Sequence, residues 1–185
     1  MRSDLETVRS EIAAVNEDAT RLFAGLTQEQ LVWRPQSGRW SIAENLAHLN
    51  LTTQTTIPAL EFALRGAREK RLRATGPYDL GVMGSLFVLY LEPPYRMKSK
   101  APAAIRPCLQ GPAPETLPQF LRSQELILKC MESAEGLDLA RARFTSPFAS
   151  VLRMSVIAAF CTATAHQRRH LWAAWQVRKQ LPHQV

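Results

Sequence analysis

The stretch Ser41-Ile42-Ala43-Glu44-Asn45-Leu46-Ala47-His48-Leu49 decides the fold of this chain. Ser41 and Glu44 stand three residues apart just ahead of an apolar run. That is the spacing of a capping box, in which the hydroxyl and the carboxylate each satisfy a backbone N–H at a helix start. From there Ile42, Leu46, Leu49, Leu60 and Leu64 recur at helical spacing and carry the helix to about Ala67. Pro58 falls inside it and predicts a bend or an interruption. His48 shares a face of this helix with Ser41, Glu44, Asn45, Thr52, Thr55 and Ala59, a small and polar strip beside the large apolar residues.

Upstream, Leu5, Val8, Ile12, Val15, Ala19 and Leu22 recur in steps of three and four, which predicts a first helix ending near Gly25. A polar turn leads to Trp33-Arg34-Pro35-Gln36-Ser37-Gly38-Arg39-Trp40, where Pro and Gly forbid helix. Downstream, the pattern breaks from Arg68 to Thr116, where most of the prolines lie. One short apolar helix, Leu80 to Leu91, sits there, and residues 92–114 read as extended and irregular. A connection this long inside a compact domain is usually functional, as a lid or a subunit contact. A third helix runs from Pro118 to about Ala134, with a Pro in its first turn. After Gly136 a connection holds Ser146-Pro147. The last helix begins between Val151 and Ser155 and runs to about Gln180. No strand pattern competes. Four long helices with a long crossover between the second and third describe an all-α chain, a four-helix bundle, in a single domain over 1–185.

The 185 residues suffice for one domain with a proper core. Lys and Arg number 23 against 16 Asp and Glu, a formal charge of +7, which favours acidic partners in general without choosing among them. The charged start, Met1-Arg2-Ser3-Asp4-Leu5-Glu6, leads us to expect no secretory leader, and the longest apolar stretch falls far short of the ~20 residues of a membrane helix. The three cysteines, Cys108, Cys130 and Cys161, form no CxxC pair, so neither a disulfide framework nor a thiolate zinc site is expected, and a cytoplasmic location follows.

His166 and His170 are spaced i, i+4 on the last helix and point from one face. The spacing suits two ligands on one metal. For the motif by itself, two partly exposed histidines on a basic helix are the plain alternative. The surroundings tip the reading. The same face carries Ser155, Ala159, Thr162, Ala163, Ala173 and Val177, mostly small and none charged, while Arg168, Trp172, Trp175 and Lys179 lie opposite. A small-residue face either brings helices close or leaves a cavity. With two imidazoles on it, a polar cavity is the better reading; His48 taken alone reads as a lone histidine satisfied by a backbone carbonyl, but its matching strip makes a shared site the better reading. Three neutral imidazoles from two helices cap a divalent metal and leave a fourth position for water or substrate. Zinc or nickel suits imidazole; iron, manganese and cobalt stay open.

Trp33-Arg34-Pro35 with Trp40-Ser41-Ile42-Ala43-Glu44-Asn45-Leu46-Ala47-His48-Leu49 resembles the second-helix motif of the DinB-like superfamily, and His166-Gln167-Arg168-Arg169-His170-Leu171-Trp172 resembles its last-helix motif. The resemblance covers most of the chain outside about Arg71 to Pro114. It implies a bundle in up-down-down-up order, a divalent metal held by three histidines, and frequent homodimers. By position those ligands fall on His48, His166 and His170. Relatives of known activity use low-molecular-weight thiols such as bacillithiol, mycothiol or glutathione, with a mycothiol-dependent maleylpyruvate isomerase more distant. Many members are labelled metal-dependent hydrolases and have no known substrate. The family name refers to DNA-damage induction, which is regulation and not DNA binding.

Glu44 is a candidate fourth ligand or base, although its capping role already explains it. Trp33 and Trp40 read as a packing clasp. Cys161 lies about 140° around the helix from His166 and cannot join the metal; Cys130 reads as core and Cys108 as exposed crossover. His183 reads as solvated tail. Arg168, Arg169, Arg178 and Lys179, and in the crossover Arg96, Lys98, Lys100 and Arg106, form two basic groups that could bind the carboxylates of an anionic thiol. No nucleic-acid module accompanies them. Trp172 and Trp175 lie opposite the histidines and need cover, from the crossover of the same chain or from a second subunit; the resemblance favours the second, a homodimer. The expectation is a metal-dependent thiol S-transferase acting on a small-molecule substrate. A metal-dependent hydrolase, or a non-catalytic ligand-binding or interaction bundle, is the alternative.

Overall fold

The computed structural model describes residues 1–94, 101–109 and 111–182. Among them lie six α-helices: α1 (Leu5–Phe23), α2 (Gln28–Val32), α3 (Ile42–Glu69), α4 (Gly81–Leu91), α5 (Thr116–Ser133) and α6 (Val156–Arg178). The chain is all-α in class, as its periodicity predicts.

Each long helix begins on a side chain or turn that the sequence supplies. Asp4 accepts from the Thr7 N–H at the start of α1, and Ser155 accepts from the Ala158 N–H at the start of α6. The capping box of α3 is complete: Ser41 receives the Glu44 N–H, and Glu44 receives the Ser41 N–H. Pro58 does not interrupt α3, which runs unbroken for 28 residues. Pro58 and Gln54 both lie on the exposed side, so the carbonyl that loses its N–H partner there can turn to water. The short helix α2 corrects the expected polar turn. Its own capping box, Thr27 with Gln30, was there to be read.

The absence of strands also needs correcting. Two short antiparallel ladders exist among the described residues: β1 (Arg2–Ser3) with β2 (Tyr78–Asp79), and β3 (Arg143–Thr145) with β4 (Arg153–Ser155). At two or three residues each they are too short to leave a period-two signal. The second carries Phe144 opposite Met154, both buried.

The helix α1 packs on α5 and α6, and α3 packs on the same two. The interior divides into two apolar clusters. Leu5, Val8, Ile12, Leu60, Leu64, Ile127, Met131, Ile157 and Phe160 belong to one. Val15, Leu22, Ile42, Leu46, Leu49, Phe120 and Leu171 belong to the other. Burying one such side chain stabilises the fold by about 1.5–3 kcal/mol. Between the clusters, α3, α5 and α6 bury polar residues: His48, Asn50 and Thr53; Ser123 and Gln124; Gln167 and Arg169.

The short helix α4 seats on α6 through Gly84. A Cβ built there would stand 2.6 Å from the Cβ of Ala158, closer than carbons can approach. Helix propensity alone predicts that Gly84→Ala stabilises by about 1 kcal/mol. The contact predicts the opposite sign, a loss of about 1–3 kcal/mol from overpacking. Urea unfolding decides, and a gain in stability would show that α4 is not seated this way.

Candidate metal centre

His48 stands on the second turn of α3, and its ring is almost wholly buried, 2% exposed. His166 and His170 stand one turn apart on α6, half-buried. The structure brings all three together: one ring nitrogen from each lies within 4.8 Å of the others. The rings sit at centroid distances of 4.5 to 5.2 Å.

Hydrogen bonds at the outer nitrogens decide which atoms face inward. His48 Nδ1 donates to the Ile105 carbonyl at 2.6 Å, so its Nε2 carries a lone pair. His170 Nδ1 lies 3.1 Å from Asn45 Oδ1. Asn45 Nδ2 donates to the Ser41 carbonyl at 2.8 Å, which turns Oδ1 toward the histidine as an acceptor. His170 therefore also keeps its proton on Nδ1 and its lone pair on Nε2. Such outer partners orient metal-ligating imidazoles in general.

His48 Nε2 and His166 Nε2 lie 3.4 Å apart. Two nitrogens bound to one tetrahedral zinc at about 2.0–2.1 Å stand roughly 3.3–3.4 Å from each other. The donor set, the orientation of His48 and His170 and the His48–His166 spacing thus fit a divalent cation that favours imidazole.

Burial holds the three rings neutral. It lowers the His48 pKa despite the Ile105 carbonyl. It pushes His166 down to about 3, with His48 and Arg169 adding repulsion. It takes His170 well below its ordinary value, with the same neighbours and His166 contributing. A neutral imidazole is the form a metal needs.

A cavity of about 280 Å³ opens on the cluster. Arg39, Trp40 and Asn45 line one side, Pro102, Ile105 and Arg169 the other. Gly38 at its rim has φ +76°, a left-handed turn that swings Arg39 and Trp40 over the histidines. The Trp40 ring lies 4.9 Å from His48 and stacks on His170 at 5.6 Å. Trp40 is therefore part of the site wall, which corrects its reading as a packing clasp only. The sequence also gave no hint of Ile105, since a backbone carbonyl has no residue signature.

Glu44 does not join the cluster. Arg34 grips its carboxylate through two hydrogen bonds, one of them 2.8 Å from Nε, and the Ser41 N–H takes part as well. Burial pushes the carboxyl up, but these bonds outweigh it and hold the pKa below the ordinary value. The basic group on α6 also divides. Arg168 pairs with Glu92 and Glu11. Arg178 donates to the carbonyls of Arg21, Leu22 and Ala24 at the end of α1. Of the group only Arg169 lines the cavity; it donates to the Tyr90 carbonyl at 3.1 Å. Arg106 is exposed, and Arg96, Lys98, Lys100 and His183 lie outside the described residues. Cys130 and Cys161 are buried with raised thiol pKa values, Cys130 at about 11, and Cys108 is exposed.

The neutral histidines make stability depend on pH. Each folded-state pKa lies below the imidazole value of about 6.5, so the unfolded chain takes up protons first as the pH falls. Their contribution is complete above that value and is lost on descending from it. A fully shifted histidine sets a slope of about 1.4 kcal/mol per pH unit. We predict that the metal-free protein loses several kcal/mol between pH 7 and pH 5 in urea unfolding, and that His166→Phe loses less. Glu44 titrates below this window and does not confuse it. Equal stability of the metal-free protein at both pH values would contradict the buried, neutral cluster.

No described helix is long and apolar enough to cross a membrane. No curated protein and no solved structure matches the chain. The DinB superfamily pattern does, over residues 11–174, a span that takes in α3, α5, nearly all of α6 and all three histidines. The resemblance carried by the two histidine motifs is thereby met across the chain, which belongs to the DinB superfamily.

Proposed function

We propose that the protein is a metal-dependent thiol S-transferase of the cytoplasm, with His48, His166 and His170 as the ligands of one divalent ion, zinc or nickel before others. The observation that carries this is the converged trio of imidazole nitrogens facing a cavity. A divalent ion held there supplies Lewis acidity, which lowers the pKa of a thiol or of water. The rest falls to the chain. Ile105 and Asn45 keep the inner nitrogens of His48 and His170 unprotonated. Trp40 covers one side of the ligand rings. Arg39 and Arg169, the only Arg, Lys, Asp or Glu lining the cavity among the described residues, favour a cosubstrate bearing carboxylates.

The lining also supports transfer over hydrolysis. A thiol has an ordinary pKa near 8.5 and needs only a modest push to ionise. Among the described residues no Asp or Glu lines the cavity, and Glu44, near by, is already tied to Arg34 and Ser41, so none of them stands ready to deprotonate a water. Metal-assisted hydrolysis is the second reading. A non-catalytic bundle is the third, and a site without exchangeable metal would favour it.

The proposed architecture is the up-down-down-up four-helix bundle, formed by α1, α3, α5 and α6. Its support is the order in which each helix meets the two apolar clusters. α1 and α6 run from the cluster of Ile12 and Phe160 to that of Leu22 and Leu171, and α3 and α5 run the other way.

Replacing His48, His166 or His170 singly by Ala is expected to remove most of the bound metal and all metal-dependent turnover with a thiol panel and an electrophilic acceptor. Ala173→Leu, in the cavity wall, keeps the metal and loses turnover. Equal metal content in wild type and a His166→Ala/His170→Ala variant sinks the site. Metal-dependent turnover of esters or amides, with none of thiols, moves the assignment to hydrolase.

A homodimer is proposed as well, on a different surface from the one first expected. Trp175 finds cover in its own chain, donating to Asp18 at 3.1 Å under the Arg178 guanidinium. α4 instead leaves Val82, Met83, Leu86 and Leu89 more than half exposed on one side. Such a contiguous apolar face rarely stays in water. Light scattering at tens of micromolar is expected to report a dimer, and Leu86→Glu/Leu89→Glu a monomer. A wild-type monomer at that concentration would refute it.

A further inference from the structure

A second cavity, about 400 Å³, lies beside the metal centre and differs from the first in kind. Its walls come from α3, the end of α4, the β3–β4 hairpin and the first half of α6. Ile57, Leu60, Phe87, Phe144, Phe148 and Leu152 represent them. No Arg, Lys, Asp or Glu lines it among the described residues. The two cavities share Leu91, Pro102, Ile105 and His166, so the apolar chamber reaches the same histidine that the polar one does.

Its size and chemistry are those of a ligand site. Small-molecule pockets begin near 300 Å³ and are lined mostly by apolar and aromatic side chains. An apolar cavity of about 150 Å³ already admits benzene, so this one has room for a substituted ring or an alkyl chain. An independent observation marks the wall. Gln167 is 2% exposed and lines the chamber, and its Oε1 has no hydrogen-bond partner among the described residues. Its Nε2 donates to Gln124 Oε1 at 3.0 Å, while the oxygen itself is left without a donor. A buried acceptor of this kind costs stability unless a donor reaches it.

We propose that the metal centre acts on an amphipathic substrate, whose alkyl or aryl group fills this second chamber while its polar end lies at the histidines, and that a hydroxyl or amide N–H on that group reaches Gln167. The inference rests on the metal-centre reading for where the polar end lies. The chamber itself can be tested without it. Small residues make the room: Ala159 and Ala163 stand on the α6 wall, two turns and one turn before His166 respectively. The two cavities thus divide the substrate, with Arg39 and Arg169 beside its charged part and the chamber holding its hydrocarbon.

The test uses the whole protein and two ligand series read by calorimetry. Primary alkanols from butanol to octanol probe the chamber without any metal-binding group. Alkyl hydroxamates of matching length, on zinc-loaded protein, probe chamber and metal together. Affinity is expected to rise roughly threefold to fourfold per methylene in both series, then level off as the chamber fills. Ala163→Phe and Thr56→Trp are expected to abolish that rise while leaving zinc content and acetohydroxamate binding unchanged. Thr56 is only half-buried, so its variant carries the comparison if the Ala163 variant does not fold. A flat dependence on chain length in wild type overturns the proposal, as does a rise that survives both variants. If zinc does not bind but the alkanols keep their rise, the chamber stands and the metal reading falls. If short hydroxamates bind zinc-loaded protein with no gain from length, the metal reading stands and the chamber falls.

Discussion

The layout of the core follows from keeping three imidazoles neutral inside it, two of them held by hydrogen bonds at their outer nitrogens. An unpaired buried polar group costs on the order of 1–3 kcal/mol, so bringing His48 and His170 to His166 also requires placing their outer partners. The Ile105 carbonyl and Asn45 Oδ1 take the outer protons. Burial then shifts the rings toward the neutral state. A continuous apolar core would have no room for this layer. The core is therefore split, with one cluster around Phe160 and another around Leu46, and the polar residues occupy the level between. Among the described residues, three of the four buried side-chain atoms left without partners, Asn50 Oδ1, Gln124 Nε2 and Gln167 Oε1, belong to residues of that level. Stability is spent there and recovered in the clusters above and below.

That division explains how much of the molecule could be read from residue order. Long amphipathic stripes are strong signals, and α1, α3, α5 and α6 lie where the periodicity places them, to within a few residues. The three histidines were legible for the same reason, because helix geometry converts their spacing and their small, polar neighbours into one shared face. α2 was legible in principle through Thr27 and Gln30. The two ladders were not, because two- and three-residue strands hold no period.

The parts of the site that escaped share a physical feature. They depend on where loops return in space and not on what a helix face presents. Trp40 precedes the capping box in sequence, and only the left-handed turn at Gly38 sets its ring against His170. Arg39 comes over the cavity by that same turn. The basic residues of α6 look like one cluster on a helical projection. Their partners separate them: Arg168 goes to Glu92 and Glu11, Arg178 to the end of α1, and Arg169 to the site.

The crossover between α4 and α5 has a further consequence for the centre. Asn45 holds His170 from the same helix that bears His48, one turn away, so that contact persists as long as α3 does. His48 is held differently. Its partner is a carbonyl in the turn Ala103–Ile105, more than fifty residues distant, on a segment with little regular structure of its own. The same segment supplies Pro102 and Ile105 to the walls of both cavities. Orientation of the His48 ring and closure of both cavities are thus carried by a single piece of chain. A shift of that turn would loosen the His48 ring and change both cavities together. The set of the His48 ring and the shape of the two cavities are consequently not independent: what seats the crossover also holds the His48 tautomer whose inner nitrogen keeps its lone pair, the form a metal would require.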